Sequence, residues 1–210
     1  AAKDLKEERQ QLKRLRRQEL MALRRVPYDI AIERNTWFHL GANSNQQLLY
    51  TLQRMLEPIK EHVDNSFTPL SPALCEEFQP MRRAINDLMK ATADDIDTNK
   101  YDNYREILAQ ADACKDELSV LRKQHIDRMQ ANTDASQMQI DLLYLNVLQE
   151  SQQLLSNMRH QLRAAKIAIA TIDLKQWFRK PQAPPFSLFL NPQNFIFCLL
   201  NNLKRSSTTI

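Results

Sequence analysis

Two carboxylates stand four residues apart in the run Asp112-Ala113-Cys114-Lys115-Asp116. On a helix that spacing puts both on one face, where they can share a hard cation. Asp112 and Asp116 are therefore the candidate metal residues, with a hard divalent metal as the cofactor they would take. Like charges at this spacing also repel, so the pair alone is mildly unfavourable. A chelating site needs a second acidic pair from a neighbouring helix. The competing reading is a solvated face, neutralised by Lys115 and other nearby basic residues, with no cofactor at all.

No other spacing points to catalysis, and the expectation is that the chain is not an enzyme. His39, His62, His125 and His160 form neither HExxH nor HxxxH, so zinc-hydrolase geometry is not indicated. His125 and His160 fall on or beside helical seams and read as core or rim residues. No serine elbow occurs. Cys75, Cys114 and Cys198 are scattered, odd in number and form no CxxC. That argues against zinc knuckles and a disulfide framework, and for a reducing compartment. Cys114 reads as a buried helix cysteine. The only glycine is Gly41, so glycine-rich phosphate loops and dinucleotide fingerprints are absent.

Charge is the second chemical signal. Residues 1–25 carry nine Lys/Arg against four Asp/Glu, a local excess of five, while the whole chain carries a net +4. Lys13, Arg14, Arg16, Arg17, Arg24 and Arg25 are the candidate contacts to anionic headgroups, where each cation can contribute about 1 kcal/mol. A solvated helix with i,i+4 ion pairs is the alternative. Nucleic acid is not expected as a partner, because no aromatic residue interleaves with the basic run.

The elements that must position these residues are all helical. A chain of 210 residues that is 43% hydrophobic and 26% charged, with one glycine, is long and apolar enough for a packed core. The first helix stops before Pro27. A short helix follows, with Gly41 at its left-handed end and Asn43, Ser44 and Asn45 as caps for the next. Residues 44–66 then place Leu48, Leu52, Met55, Ile59 and Val63 on one face. Ser71 followed by Pro72 starts another helix, and Leu74, Phe78, Met81, Ile85 and Leu88 repeat at 4-3-4-3 spacing along it. Pro58 and Pro80 lie at similar distances from the turn near Pro69, which predicts matched bends in an α-hairpin.

Tyr101, Tyr104, Leu108, Ala111, Leu118, Leu121 and Met129 trace a face over roughly 100–131. After a short turn capped by Thr133 or Asp134, a long helix runs to about Thr171. Ile140, Tyr144, Val147, Leu154, Met158, Ala165 and Ile169 line it, and Leu143, Leu148, Leu155 and Leu162 widen the stripe. A stripe that wide needs partners on more than one side.

The domain reading is a basic helical arm over 1–27, a helical bundle over 28–172 and an irregular tail over 173–210. The tail holds four of the nine prolines. It reads as a docking segment, an extension, or the product of an altered reading frame. No window approaches the roughly 18 apolar residues of a membrane span, and no signal peptide is visible. The chain begins without Met inside a helical pattern, which leads to the expectation that something precedes it.

The stretch "SQMQIDLLYLNVLQESQQLLSNMRHQLRAA" resembles the last long helix of PhoU-like domains. Tyr144-Leu145-Asn146 and Gln149-Glu150 fall on that family's pattern. "NTWFHLGANSNQQLLYTLQRMLEPIKEHVDNSF" is similar to the cytosolic C-terminal region of bacterial sodium- or proton-coupled inorganic phosphate transporters. The resemblance covers roughly residues 30–168. It implies an antiparallel up-down bundle on the cytoplasmic face of the bacterial inner membrane, acting as a regulatory or docking domain by helix packing.

The partners so implied are the transmembrane permease domain of the same protein and the anionic membrane surface, with a homo-oligomer left open. The basic arm then follows the positive-inside tendency. Asp112 and Asp116 match by spacing the family's metal motif, which implies iron or a divalent metal as the alternative to no cofactor, while its partner motif falls on Gln152 and Ser156, which carry no carboxylate. A free-standing helical scaffold at the membrane surface is the alternative reading.

Overall fold

The computed structural model describes residues 2–24, 28–67, 69–131 and 137–171. Five helices account for nearly all of them: α1 (Ala2–Leu23), α2 (Tyr28–Asp64), α3 (Pro72–Thr98), α4 (Tyr104–Ala131) and α5 (Met138–Thr171). The chain is an all-α bundle. The expected Thr133/Asp134 cap and the tail over 173–210 lie outside the described residues. None of the described helices is long and apolar enough to cross a membrane.

α5 organises the bundle because it carries two seams side by side. Tyr144, Leu148, Ser151, Leu155, Met158, Leu162 and Ala165 repeat at 4-3-4-3 spacing, and none is more than 2% exposed. One position round the cylinder, Glu150, Leu154, Asn157, Gln161 and Ala164 repeat at the same spacing and are also buried. Two adjacent seams let one helix serve two sets of neighbours. α5 accordingly packs on α2, α3 and α4. Each fully buried Leu on the first seam contributes about 1.5–3 kcal/mol of transfer free energy.

Residue pairs fix the directions. Thr51 meets Asn157 and Arg54 meets Glu150, so α2 and α5 run oppositely along their contact. Asp112 meets Arg159 and His125 meets Asp141, so α4 also opposes α5. Cys114 and Met81 touch sulfur to sulfur at 3.9 Å, in the core that α3, α4 and α5 share.

Three sequence expectations change. The first concerns Gly41, which does not end a helix. α2 runs unbroken through it, and Gly41, Ser44 and Asn45 are buried. The lack of a side chain at 41 suits close packing inside the helix, and Ser44 and Asn45 are interface residues, not caps.

α2 ends instead in a Schellman arrangement. Ser66 takes the left-handed conformation at φ 52°. Phe67 N–H donates to His62 O and Ser66 N–H donates to Val63 O, each at 3.1 Å, and the Phe67 ring lies 5.5 Å from His62. These bonds satisfy carbonyls that the helix end would otherwise orphan.

Second, α2 and α3 do not form a packed hairpin. Pro58 and Pro80 both sit inside their helices, but α2 lies along α5 and α1, whereas α3 lies on α4 and α5. The matched prolines therefore do not face each other across a shared seam. Third, Val63 is not on the core face. It is 59% exposed.

The start of α3 is as expected. Ser71 is extended at φ −63°, ψ 146°, its hydroxyl accepts from Leu74 N–H, and Pro72 takes the first helical position. Asn99 closes the helix in the left-handed region at φ 55°, a conformation that asparagine tolerates.

Candidate anionic-surface interface

α1 packs on α2, with Leu12 reaching the core. The rest of its surface is strongly sorted by charge. Lys6, Lys13, Arg17 and Arg24 follow one line along the cylinder at steps of seven, four and seven. Arg16 flanks that line on one side and Arg14 on the other, by the helical repeat of 3.6. All six cations are exposed. The same repeat puts three of the four acidic positions, 4, 8 and 19, on the opposite side of the cylinder, while Glu7 falls beside Arg14 at the edge of the basic face. Of the six predicted headgroup contacts, Lys13, Arg14, Arg16, Arg17 and Arg24 thus share one exposed face, and Arg25 lies outside the described residues.

That face is not purely ionic. Leu20 is 45% exposed, and its neighbour Met21 is 54% exposed. Leu20 stands three residues from Arg17 and four from both Arg16 and Arg24. Met21 stands four from Arg17 and three from Arg24. Sequence analysis did not single these two residues out, because apolar residues are sparse in this charged helix and carry no clear period. The sorting of acidic from basic positions was the signal that could have separated Leu20 from Leu12.

The predicted metal residues sit where α4 faces α5. Asp112 is half-exposed and ion-pairs with Arg159 of α5. Asp116 is exposed one turn further along α4. The position opposite them, Gln152, donates from Nε2 to the Lys115 carbonyl at 3.0 Å and also contacts Ser119 Oγ. Gln152 and Arg159 of α5 thus meet this stretch of α4 with a hydrogen bond and a cation. Among the described residues, no group of three or more His, Cys, Asp or Glu gathers to hold a metal.

A second polar cluster binds α3, α4 and α5. Arg128 forks onto the Glu77 carboxylate with bonds of 2.7 and 2.8 Å, and Tyr144 donates its hydroxyl to the same group at 3.3 Å. The Arg128 bonds hold the Glu77 carboxyl below its ordinary value against the opposing effect of burial. Burial, then the negative Glu77, pushes the Tyr144 hydroxyl far up. His125, 2% exposed, stacks edge-on against Tyr144 at 4.8 Å, and its Nε2 lies 3.2 Å from Asp141 O.

At the other end of α3, Asp95 is buried and its Oδ2 has no hydrogen-bond partner. Burial, followed by Asp102 and Asp94, raises its pKa. Lys166 lies over the Tyr104 ring at 3.8 Å and partly offsets the charge on Asp95. Burial also pushes the Cys114 thiol up to about 11, which keeps it protonated and unreactive. These groups hold helices together and none is arranged as a nucleophile with its base.

No protein-family model matches the chain, and comparison with characterised proteins and with solved structures likewise finds no match.

Proposed function

We propose that the chain is a helical docking and regulatory bundle that acts at an anionic membrane surface by packing and association. The observation that carries this reading is the exposed basic face of α1, with Lys6, Lys13, Arg14, Arg16, Arg17 and Arg24 on one side of the cylinder. Cations near an anionic bilayer contribute about 1 kcal/mol each, and salt screens them. The resemblance to PhoU-like domains extends the reading to the cytoplasmic face of a phosphate permease of which the bundle would be part.

α1 touches α2, and α2 lies along α5, so a shift at the membrane has a contiguous packed route into the bundle. Coupling to transport requires the bundle to contact the permease differently in its two states.

Vesicle co-sedimentation tests the surface reading. The chain should bind vesicles containing phosphatidylglycerol, release them at high salt, and ignore pure phosphatidylcholine. Equal binding to both, or to neither, removes the reading. The coding sequence upstream of Ala1 tests the permease half, which fails if no transmembrane spans are encoded there.

A further inference from the structure

The geometry points to Leu20 and Met21 as apolar anchors that enter an anionic bilayer between the basic side chains of α1. This rests on the docking reading above and adds the insertion step that a purely electrostatic contact lacks.

Single exposed hydrophobic residues are ordinary and need no explanation. Leu20 and Met21 differ in where they stand. They are adjacent in sequence, about half exposed, and bracketed on the helix by Arg14, Arg16, Arg17 and Arg24. Acidic positions 4, 8 and 19 lie on the far side, and Glu7 stands at the edge of the basic face beside Arg14. Successive residues lie about 100° apart on a helix, so Leu20 and Met21 flank the Arg17–Arg24 line, one on each side, and apolar side chains set among cations in this way fit a headgroup layer. The guanidinium and ammonium groups remain among phosphates while the apolar tips reach the acyl boundary.

The occupant follows from complementarity. Spread cations call for a spread anionic partner, and two unsheltered apolar side chains call for a partner with an accessible oily layer. An anionic phospholipid surface supplies both. Nucleic acid supplies only the first, and α1 offers it no aromatic stacking residue.

The test uses the whole chain and vesicles of phosphatidylglycerol with phosphatidylcholine, alongside pure phosphatidylcholine. Glutamine is a helix former comparable to Leu and Met, so Leu20→Gln with Met21→Gln removes the anchors while keeping charge and helicity. The double variant should lose at least about tenfold in partitioning to the anionic vesicles, because the buried apolar area is lost. Its circular dichroism and Tm should match the parent. Leu20→Phe should bind at least as well as the parent.

In a second measurement, Leu20→Trp is made in a background with Trp37 and Trp177 replaced by Phe. Its emission should shift to the blue on anionic vesicles and be quenched by brominated acyl chains.

If the double Gln variant binds as tightly as the parent and Leu20→Trp emits as in buffer, insertion is wrong, although electrostatic docking stands. If the parent chain ignores anionic vesicles but binds an acidic peptide or nucleic acid, docking and insertion both fall.

Discussion

Arg128 on α4 grips Glu77 on α3 in a two-bond fork, with N–O distances of 2.7 and 2.8 Å. The same carboxylate accepts from Tyr144 on α5, so one acidic group ties three helices. Planar guanidinium–carboxylate forks fix geometry as well as attraction. Glu77→Gln should destabilise the bundle by about 1–2 kcal/mol, a figure reduced from the buried-pair range because Arg128 is half-exposed.

The pH sign follows from the lowered Glu77 pKa. A carboxyl that titrates lower in the folded state contributes stability above its unfolded value, and that contribution is lost as pH falls through the folded value. Urea melts of parent and Glu77→Gln should therefore differ at pH 7 and converge in acid below the ordinary 4.5. Curves that stay parallel well below that pH, where the folded carboxyl is itself protonated, would show that the fork adds no linked stability.

Asp95 has the opposite sign. Its carboxyl is buried, lacks a partner at Oδ2, and faces the charges of Asp102 and Asp94. Its raised pKa means that folding is favoured by protonation, fully so below the unfolded value, and that the benefit is lost as pH rises through the folded value. Asp95→Asn should therefore stabilise the protein at pH 7 by on the order of 1 kcal/mol, or about 3 °C in Tm. The gain should shrink in acid, where the parent carboxyl is itself neutral. A lower Tm for Asp95→Asn at pH 7 would mean that the attraction to Lys166 outweighs burial and repulsion.

The apolar half of this architecture was legible in the sequence and the polar half was not. The stripe on α5 was too wide for one neighbour, which correctly implied partners on two sides. Leu74 to Leu88 on α3 and the Ser71-Pro72 start were read from spacing and cap chemistry alone. Asn157 and Gln161 escaped notice, and Glu150 entered only through the family pattern, because polar residues at helical spacing look like a solvated face. Only the structure puts Arg54 and Thr51 across from two of them.

Gly41 misled because glycine marks helix ends more often than close packing, and Ser66 gave no sign that it would take the left-handed position. Of the candidate site, the basic residues of α1 were visible as a run. Their sorting to one side, with Leu20 and Met21 among them, needed the helix to be placed on α2.

Ser66 holds a conformation that costs a residue with a Cβ roughly 1–2 kcal/mol. Ser66→Gly removes that strain but gives the unfolded chain more freedom, worth about 0.4–1 kcal/mol in the other direction. The net expectation is a stabilisation of about 0.5–1 kcal/mol, read as a higher urea midpoint at unchanged slope. Ser66→Ala should show no such gain, because it keeps the Cβ. Equal midpoints for Gly and Ala would argue that Ser66 is not left-handed in solution.

The contact between Asn157 and Thr51 tests whether the second α5 seam is specific or merely tolerated. Asn157 Nδ2 donates to Thr51 Oγ1 at 3.1 Å, and the two residues are 6% and 1% exposed. Removing one partner leaves the other buried and unsatisfied, which costs about 1–3 kcal/mol. Asn157→Leu and Thr51→Val should each destabilise the fold by that order. Replacing both exchanges a polar contact for an apolar one of similar shape, which can be nearly neutral. The double variant should thus be more stable than the sum of the singles predicts, by at least about 1 kcal/mol of coupling. Additive losses in thermal melts would mean that the two side chains act independently and that this contact adds no specificity to the packing of α2 on α5.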